Sequence, residues 1–510
     1  MTEKETHTHS DPDLCTDLIL PGNPDIATLY LEPEFWLQEI ADLGLWWKKH
    51  AIDPKVPGYF TNLDRKGNIW SDSDGADKWG YVVSRTLYTF TTAFSLTGQR
   101  KFLEAAKSGV AFLSKAATFR CSGYTFFHAR MNRNGDNYPN DPDVINIFTQ
   151  IYALTGLIAY FGVTHDPSVS NLIDSCLRGL TDLYHDNEHG GYYDAISRAN
   201  LEPIPGITDG KSFNSIVDPL SATLYFMDNA RITSKHLPIQ NAIRELCQLI
   251  LQHFVDPHYA FIRETFHRTW VHQAPAWNNP YNTPFSGSDV GANMKTIWVL
   301  LRGLDDLDPM YQQEALNAVD RIHKHIVDSG TWDAVHGGWF AVMNRDCVAG
   351  TLAHKMGHTN KIWWQQEEGI LACFLSYLVL RRDRDLAMTR EGLRFWLTYF
   401  RDHTNGGVFD TVSVDGEPIE DRKGYWLKGG YHEIELARYM YIYSSVLNNR
   451  EVTLFSDYDA SRSFAEYRCC PARIPGLIWD VIDEELVENT VLMTRYRHRW
   501  VSVRQSKVQP

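Results

Sequence analysis

The residues best suited to chemistry in this 510-residue chain fall in Lys428-Gly-Gly-Tyr-His-Glu-Ile-Glu435. A glycine pair interrupts the backbone, and Tyr431, His432 and Glu435 then open an apolar helical run that extends to Val446. An imidazole at such a point can take or give a proton near neutral pH. Glu435 follows one helical turn later on the same face. Polar groups recur near the starts of five earlier apolar runs. The first carries Arg85, the second Asn146 and Gln150, and the third Asn214 and Asp218, preceded by Lys211. The fourth carries Ser288 and Asp289, and the fifth Lys361, Trp363, Trp364, Glu367 and Glu368. Any one of these alone reads as a solvated or capping group, and Asp289 is of a type favoured at N-caps. Arg85 lies inside an aromatic helix and needs an acidic partner or a cavity, because an unpaired buried cation is very costly. His432, Asp218, Asp289 and Glu435 make up the acid–base candidates.

The elements that must position these residues repeat. A small residue followed by bulky apolar ones recurs at Gly58, Gly123, Gly191, Ala260, Gly338 and Gly407, at intervals of 65 to 78 residues. Most copies continue into alternating residues with a turn, as in Val412-Ser-Val-Asp-Gly416, which reads as a short hairpin. Six such units are a repeat architecture. Between hairpins lie an all-round apolar run and then an amphipathic one, that is, a buried helix and its cover. The pattern predicts inner helices near 78–97, 144–163, 214–230, 289–304, 363–381 and 431–447. It predicts outer helices near 33–50, 101–117, 167–184, 236–254, 310–328 and 385–401. This is an all-α chain, an (α/α)6 barrel with short β-hairpins on one face. Links from inner to outer helices are short and the return links carry the hairpins, so every inner helix should start at the hairpin face. Long loops on a rigid scaffold concentrate function there, and helix N-termini favour anions. The boundaries read as a disordered tail over 1–30, the barrel over 31–450, and an extension over 451–510 that serves as a strap over the barrel or a homodimer contact.

Composition narrows the classes. Hydrophobic residues make up 44% of the chain, with 16 Trp, 25 Tyr and 24 Phe, enough for a large core. A net charge of −14 without a dense basic run argues against a nucleic-acid partner. The eight cysteines are scattered, several in apolar runs, and read as reduced core residues of a cytoplasmic protein. No signal core is seen near the N-terminus, and no segment is expected to span a membrane. His354 and His358 have i, i+4 spacing but no acidic third ligand nearby, so no metal is expected.

Four segments together resemble the N-acylglucosamine 2-epimerase superfamily, which includes cellobiose 2-epimerases, mannose isomerases and sulfoquinovose isomerases. They are Gly58-Tyr-Phe with Leu63-Asp-Arg65 and Ser84-Arg85; Lys211-Ser-Phe-Asn214; Lys361-Ile-Trp-Trp-Gln-Gln-Glu-Glu368; and Lys428-Gly-Gly-Tyr-His432. The resemblance spans roughly residues 33 to 447. It implies the same barrel, no redox cofactor or metal, and proton transfer at C2 of a sugar through an enediol(ate), with histidines as base and acid. It also implies substrate binding by Arg85, ring stacking by Trp363 and Trp364, a sugar contact for Glu368 and a catalytic role for His432. Asn214 and Glu367 join the substrate-binding candidates. Two segments depart from the family pattern. Asn214-Ser-Ile-Val-Asp218 stands where the family reads Asn-Thr-His-x-His, and Gly287-Ser-Asp-Val-Gly291 where it reads Gly-His-Asp-x-Glu. Ser288 thus replaces a catalytic histidine and Gly291 its acidic partner.

Three functions follow. The first is a sugar isomerase or epimerase-like enzyme acting next to a carbonyl on a small sugar or other polar carbonyl compound. The second is a lyase, hydrolase or cyclase using Asp218, Asp289 and His432. The third is a sugar-binding protein without catalysis.

Overall fold

A computed structural model describes residues 30–72, 74–138, 143–273, 287–344 and 360–501. The expected N-terminal tail and the His354–His358 pair lie outside these residues. Among the described residues, twelve α-helices form six inner–outer pairs. The outer helices are α1 (Pro33–Ala51), α3 (Arg100–Lys115), α5 (Pro167–Gly179), α7 (Ile239–Leu249), α9 (Pro309–Asp328) and α11 (Asp383–Phe395). The inner helices are α2 (Gly80–Thr97), α4 (Ile147–Thr164), α6 (Asp218–Asn229), α8 (Val290–Gly303), α10 (Trp363–Leu380) and α12 (Tyr431–Leu447). Each inner helix packs on the next, and α12 closes the ring against α2. This is the expected (α/α)6 barrel.

Local sequence sets the helix ends. Asn146 and Asp289 cap α4 and α8, their side chains accepting from Phe148 N–H (2.7 Å) and Ala292 N–H (3.0 Å). Gly98 ends α2 with φ +69°, a left-handed geometry that glycine adopts without penalty. α4 is long and apolar enough by composition to cross a membrane, which the sequence reading did not anticipate. Here it is an inner helix with most of its surface buried in protein. The third inner helix is also less regular than expected. Phe213–Val217 is a π-helical turn leading into α6, and Pro219, in the first turn of α6, supplies no N–H for the regular ladder.

Short antiparallel ladders tie consecutive units around one mouth. Lys78–Trp79 pairs with Arg130–Met131, Val144–Asn146 with Ala195–Ser197, and Lys211–Ser212 with Thr265–Phe266. Gly287–Asp289 pairs with Val342–Asn344 and Lys361–Ile362 with Thr411–Val412, while a Leu63–Gly424 bridge closes the circle. Beneath this rim, one salt bridge recurs in five units. An aspartate caps its own turn and holds a cation, which for Lys78, Lys211 and Lys361 comes from the strand leading to the next inner helix. The pairs are Asp53–Lys78 (3.2 Å), Asp186–Lys211 (2.9 Å), Asp256–Arg263 (2.9 Å), Asp333–Lys361 (2.8 Å) and Asp402–Lys423 (3.2 Å). Lys211 and Lys361, read from sequence as part of the site, are therefore rim struts.

The extension forms an antiparallel sheet of Val452–Asp457, Leu477–Glu488 and Val491–Trp500, with the last strand central. It straps the end of the barrel where the inner helices finish. Cys470 N–H donates to Asn229 O (2.7 Å), Cys469 Sγ to Gly162 O (3.1 Å), and Arg473 bridges Asp228 and Asp306.

Candidate active site

The starts of α2, α6, α8, α10 and α12 bring charged groups together around Tyr431. The Arg85 guanidinium lies 3.9 Å from the Tyr152 ring centre and 5.4 Å from that of Tyr431, and Nη1 donates to Leu427 O at 2.8 Å. The His432 imidazole lies 4.9 Å from the same Tyr431 ring, so one small molecule can reach both groups. His432 Nδ1 and Glu367 Oε2 share a 2.8 Å hydrogen bond. Asp218 accepts from the Tyr152 hydroxyl (2.6 Å) and the Lys295 ammonium (2.6 Å), and Lys295 also donates to Glu368 Oε1 (3.0 Å). The second Glu368 oxygen takes the Trp298 indole N–H. Glu435 is buried beneath, beside Lys295 and Arg302.

Burial is the first electrostatic fact. It holds the His432 imidazole well below its ordinary value, helped by the Arg85, Lys295 and Lys428 cations, so His432 is neutral. It pushes Glu367 well above the usual carboxylate range, and the neighbouring Glu368 and Glu435 push the same way. Glu435 rises to about 7 through burial, against the pull of Lys295. Asp289 rises to about 8 through burial and the adjacent Glu264. Burial opposes the Lys295 charge, but Asp218 and Glu368 outweigh it and hold the ammonium well above the ordinary lysine range.

Most of the expected cluster converges, but several roles change. Trp363 is 1% exposed, with Lys428 Nζ 4.3 Å from its ring, so it is core rather than a stacking surface. Trp364 is partly exposed, 6.2 Å from the His432 ring, and can stack. Glu368 is fully buried with both oxygens occupied, which corrects its implied sugar contact. Asn214 is exposed on the π-helical turn and joins no described member of the cluster. Both Asp218 oxygens are held, one by Tyr152 and one by Lys295, which suits a positioning group rather than a relay. Asp289 caps α8 and accepts from Gln365 Nε2 (3.0 Å). Ser288 is buried and bonded to Ile262 O and Asn293. A Cβ at Gly291 would lie 2.3 Å from the Trp364 ring, so that ring fills the space where the family pattern has an acid. Sequence reading missed Lys295, Arg302 and Tyr152. A charge inside an apolar helix, the argument applied to Arg85, also marks Lys295 and Arg302.

His432, Glu367 and Glu368 bring three ligand atoms within 4.8 Å of one another. A cation there would stand beside the Lys295 ammonium and compete with it for Glu368. The set therefore fits hydrogen bonding better than a metal.

Comparison with known proteins agrees with this fold. The sequence model of the N-acylglucosamine 2-epimerase (GlcNAc 2-epimerase) family matches residues 58–434. Cellobiose 2-epimerase of Eubacterium cellulosolvens is 22% identical over 368 residues, 70% of this chain and 86% of that protein. The cellobiose 2-epimerase structure from Spirochaeta thermophila superposes with TM-score 0.67 at 18% identity, covering 84% of this chain and all (100%) of that one. A D-mannose isomerase structure gives TM-score 0.66 at 17% identity, covering 81% and 98%. With the family match spanning most of the barrel, the chain belongs to the N-acylglucosamine 2-epimerase family.

Proposed function

We propose that the chain is a sugar isomerase of the aldose–ketose type that moves one proton between adjacent carbons with a single base, His432. The observation that carries this reading is the buried His432–Glu367 pair within reach of Arg85. In the base form, Nδ1–H donates to the Glu367 carboxylate and Nε2 is free. Nε2 takes the proton alpha to the carbonyl while the Nδ1 proton passes to Glu367. No imidazolium forms beside three cations, in line with the depressed imidazole; the raised carboxyl favours the form in which Glu367 holds the proton, so the base form is the fraction of the pair in which Glu367 is ionised. Arg85 stabilises the enediolate oxygen. The neighbouring hydroxyl passes its proton to the enediolate oxygen, Nε2–H returns the carbon-bound proton to the neighbouring carbon on the same face, and Glu367 gives its proton back to Nδ1. Epimerisation needs an acid on the opposite face of C2, and Ser288 and Gly291 supply none.

The hydrolase or lyase reading draws less support, because both Asp218 oxygens are occupied and Asp289 caps a helix. Incubating a panel of aldoses, ketoses and disaccharides in D2O and following them by NMR tests the proposal. One sugar should convert to its aldose or ketose isomer, with deuterium at the receiving carbon whenever the Nε2 proton exchanges with solvent before it is returned. Absence of any aldose–ketose interconversion across the panel would remove the isomerase reading.

A further inference from the structure

Three inner helices carry polar residues on the barrel axis, where a core helix is ordinarily apolar. On α12, Tyr431, Glu435, Tyr439 and Tyr443 recur every four residues, which puts them on one face. At about 1.5 Å per residue this stripe runs some 18 Å down the barrel. On α2, Arg85, Tyr88, Thr92 and Ser95 form a second stripe, and on α8 Lys295 and Arg302 lie two turns apart on a third. All are buried.

Many of these groups lack a partner. One Glu367 oxygen and the Tyr439 hydroxyl make no hydrogen bond within the protein, while Glu435 and Tyr431, and Tyr88 and Thr92, have only each other within reach and at less than regular geometry. Two Arg302 nitrogens are likewise unpaired, the guanidinium being held between the Trp298 and Tyr439 rings at 4.1 and 4.0 Å. Buried polar groups are normally satisfied, by protein or by ordered water. These groups neighbour one another along the axis. The Tyr88 and Tyr431 rings are 5.0 Å apart, and Glu435 lies within electrostatic reach of Tyr431, Tyr88, Tyr439 and Glu367. At the far end Tyr88, Thr91, Thr92, Asn229 and Arg438 line a cavity of about 50 Å³ under the strap. Thr91 and Asn229 each leave a buried oxygen there without a partner, and Thr92 has only Tyr88. At about 10–15 Å³ apiece, the cavity has room for a few waters.

We propose that the barrel axis binds a chain of ordered waters that carries protons between the His432–Glu367 pair and the strapped end of the barrel. This rests on the isomerase reading for its purpose, since a substrate filling the mouth leaves the axis as the other route for exchange with solvent. Each hydroxyl, water or carboxyl along the chain accepts one proton and releases another. One proton enters or leaves at the cavity for each that leaves or reaches Glu367, and no co-reactant is consumed.

The test reads carboxyl protons directly and needs no substrate. The protein is transferred into D2O, and the infrared band of its buried protonated carboxyls, assigned with Glu367→Gln and Glu435→Gln, is followed in time. In Tyr88→Phe, which keeps the ring and removes the hydroxyl, exchange should slow by about tenfold, the effect of one lost hydrogen bond on a barrier. Tyr439→Phe provides the same reading if Tyr88→Phe does not fold. Exchange as fast as wild type in both Tyr88→Phe and Thr92→Val would show that protons come through the mouth and would overturn the proposal. So would the absence of any protonated carboxyl band in the wild type. Failure of the isomerase reading shows separately, as a sugar panel without aldose–ketose interconversion.

Discussion

Burial around His432 disfavours an uncompensated imidazolium, and on the proposed mechanism the proton taken from substrate ends on Glu367, whose Oε2 lies 2.8 Å away. Glu367→Gln keeps the shape and removes the proton acceptor. It should lower turnover by about 10²-fold or more, the scale of one general acid–base group, while KM changes little. Steady-state kinetics on the substrate found by the panel checks this. Asp289 allows a prediction without substrate. Its carboxyl rises from 3.8 to about 8 on folding. Between those values the folded chain keeps a proton that the unfolded chain has lost, so stability contributed by this group falls as pH rises from about 4 to about 8. Asp289→Asn cannot titrate and should lose less stability than wild type between pH 5 and pH 8, measured by thermal unfolding at both. Which residues were legible in the sequence follows from where they sit. His432 and Arg85 stand at helix starts beside breaks or aromatics and were readable. The Lys295 bonds to Asp218 and Glu368 cross between helices 73 and 77 residues apart in sequence, and no local pattern shows such a pairing.

At the scale of elements, hydrophobic periodicity located all twelve helices within a few residues, because inner and outer helices differ in how much of their surface is apolar. The π-helical ends of the outer helices, at Leu180–Tyr184, Ile250–Phe254 and Trp396–Phe400, leave that pattern nearly unchanged and so escaped it. The lysines before the inner helices misled for a different reason. Lys361 looks like a mouth residue in a motif rich in tryptophan and glutamate, but it reaches back 28 residues to Asp333 and the Gly337 carbonyl. Burial pulls its ammonium down to about 8 even with that partner. Lys361→Met strands the buried carboxylate of Asp333 and should destabilise the fold by about 3–5 kcal/mol. A fall in the urea midpoint without a change in slope would record it, and an unchanged midpoint would show that the strut carries no load.

Across the whole molecule, the hairpin rim gathers the starts of the inner helices and the C-terminal sheet covers their ends. On the proposed reading, chemistry takes place at one end of a column of buried charge. The sequence showed the rim, because glycine-marked hairpins repeat, but left the extension open between a strap and a homodimer contact. Only the packing of Cys469, Cys470 and Arg473 onto the helix ends showed the strap. The most direct measurement is the fate of the transferred proton in D2O, comparing wild type with His432→Ala on the converted sugar. Single-base isomerisation predicts deuterium on one face only of the carbon that receives the proton, and a loss of about 10²-fold or more in turnover for His432→Ala. Deuterium on both faces, or full activity in His432→Ala, would contradict it.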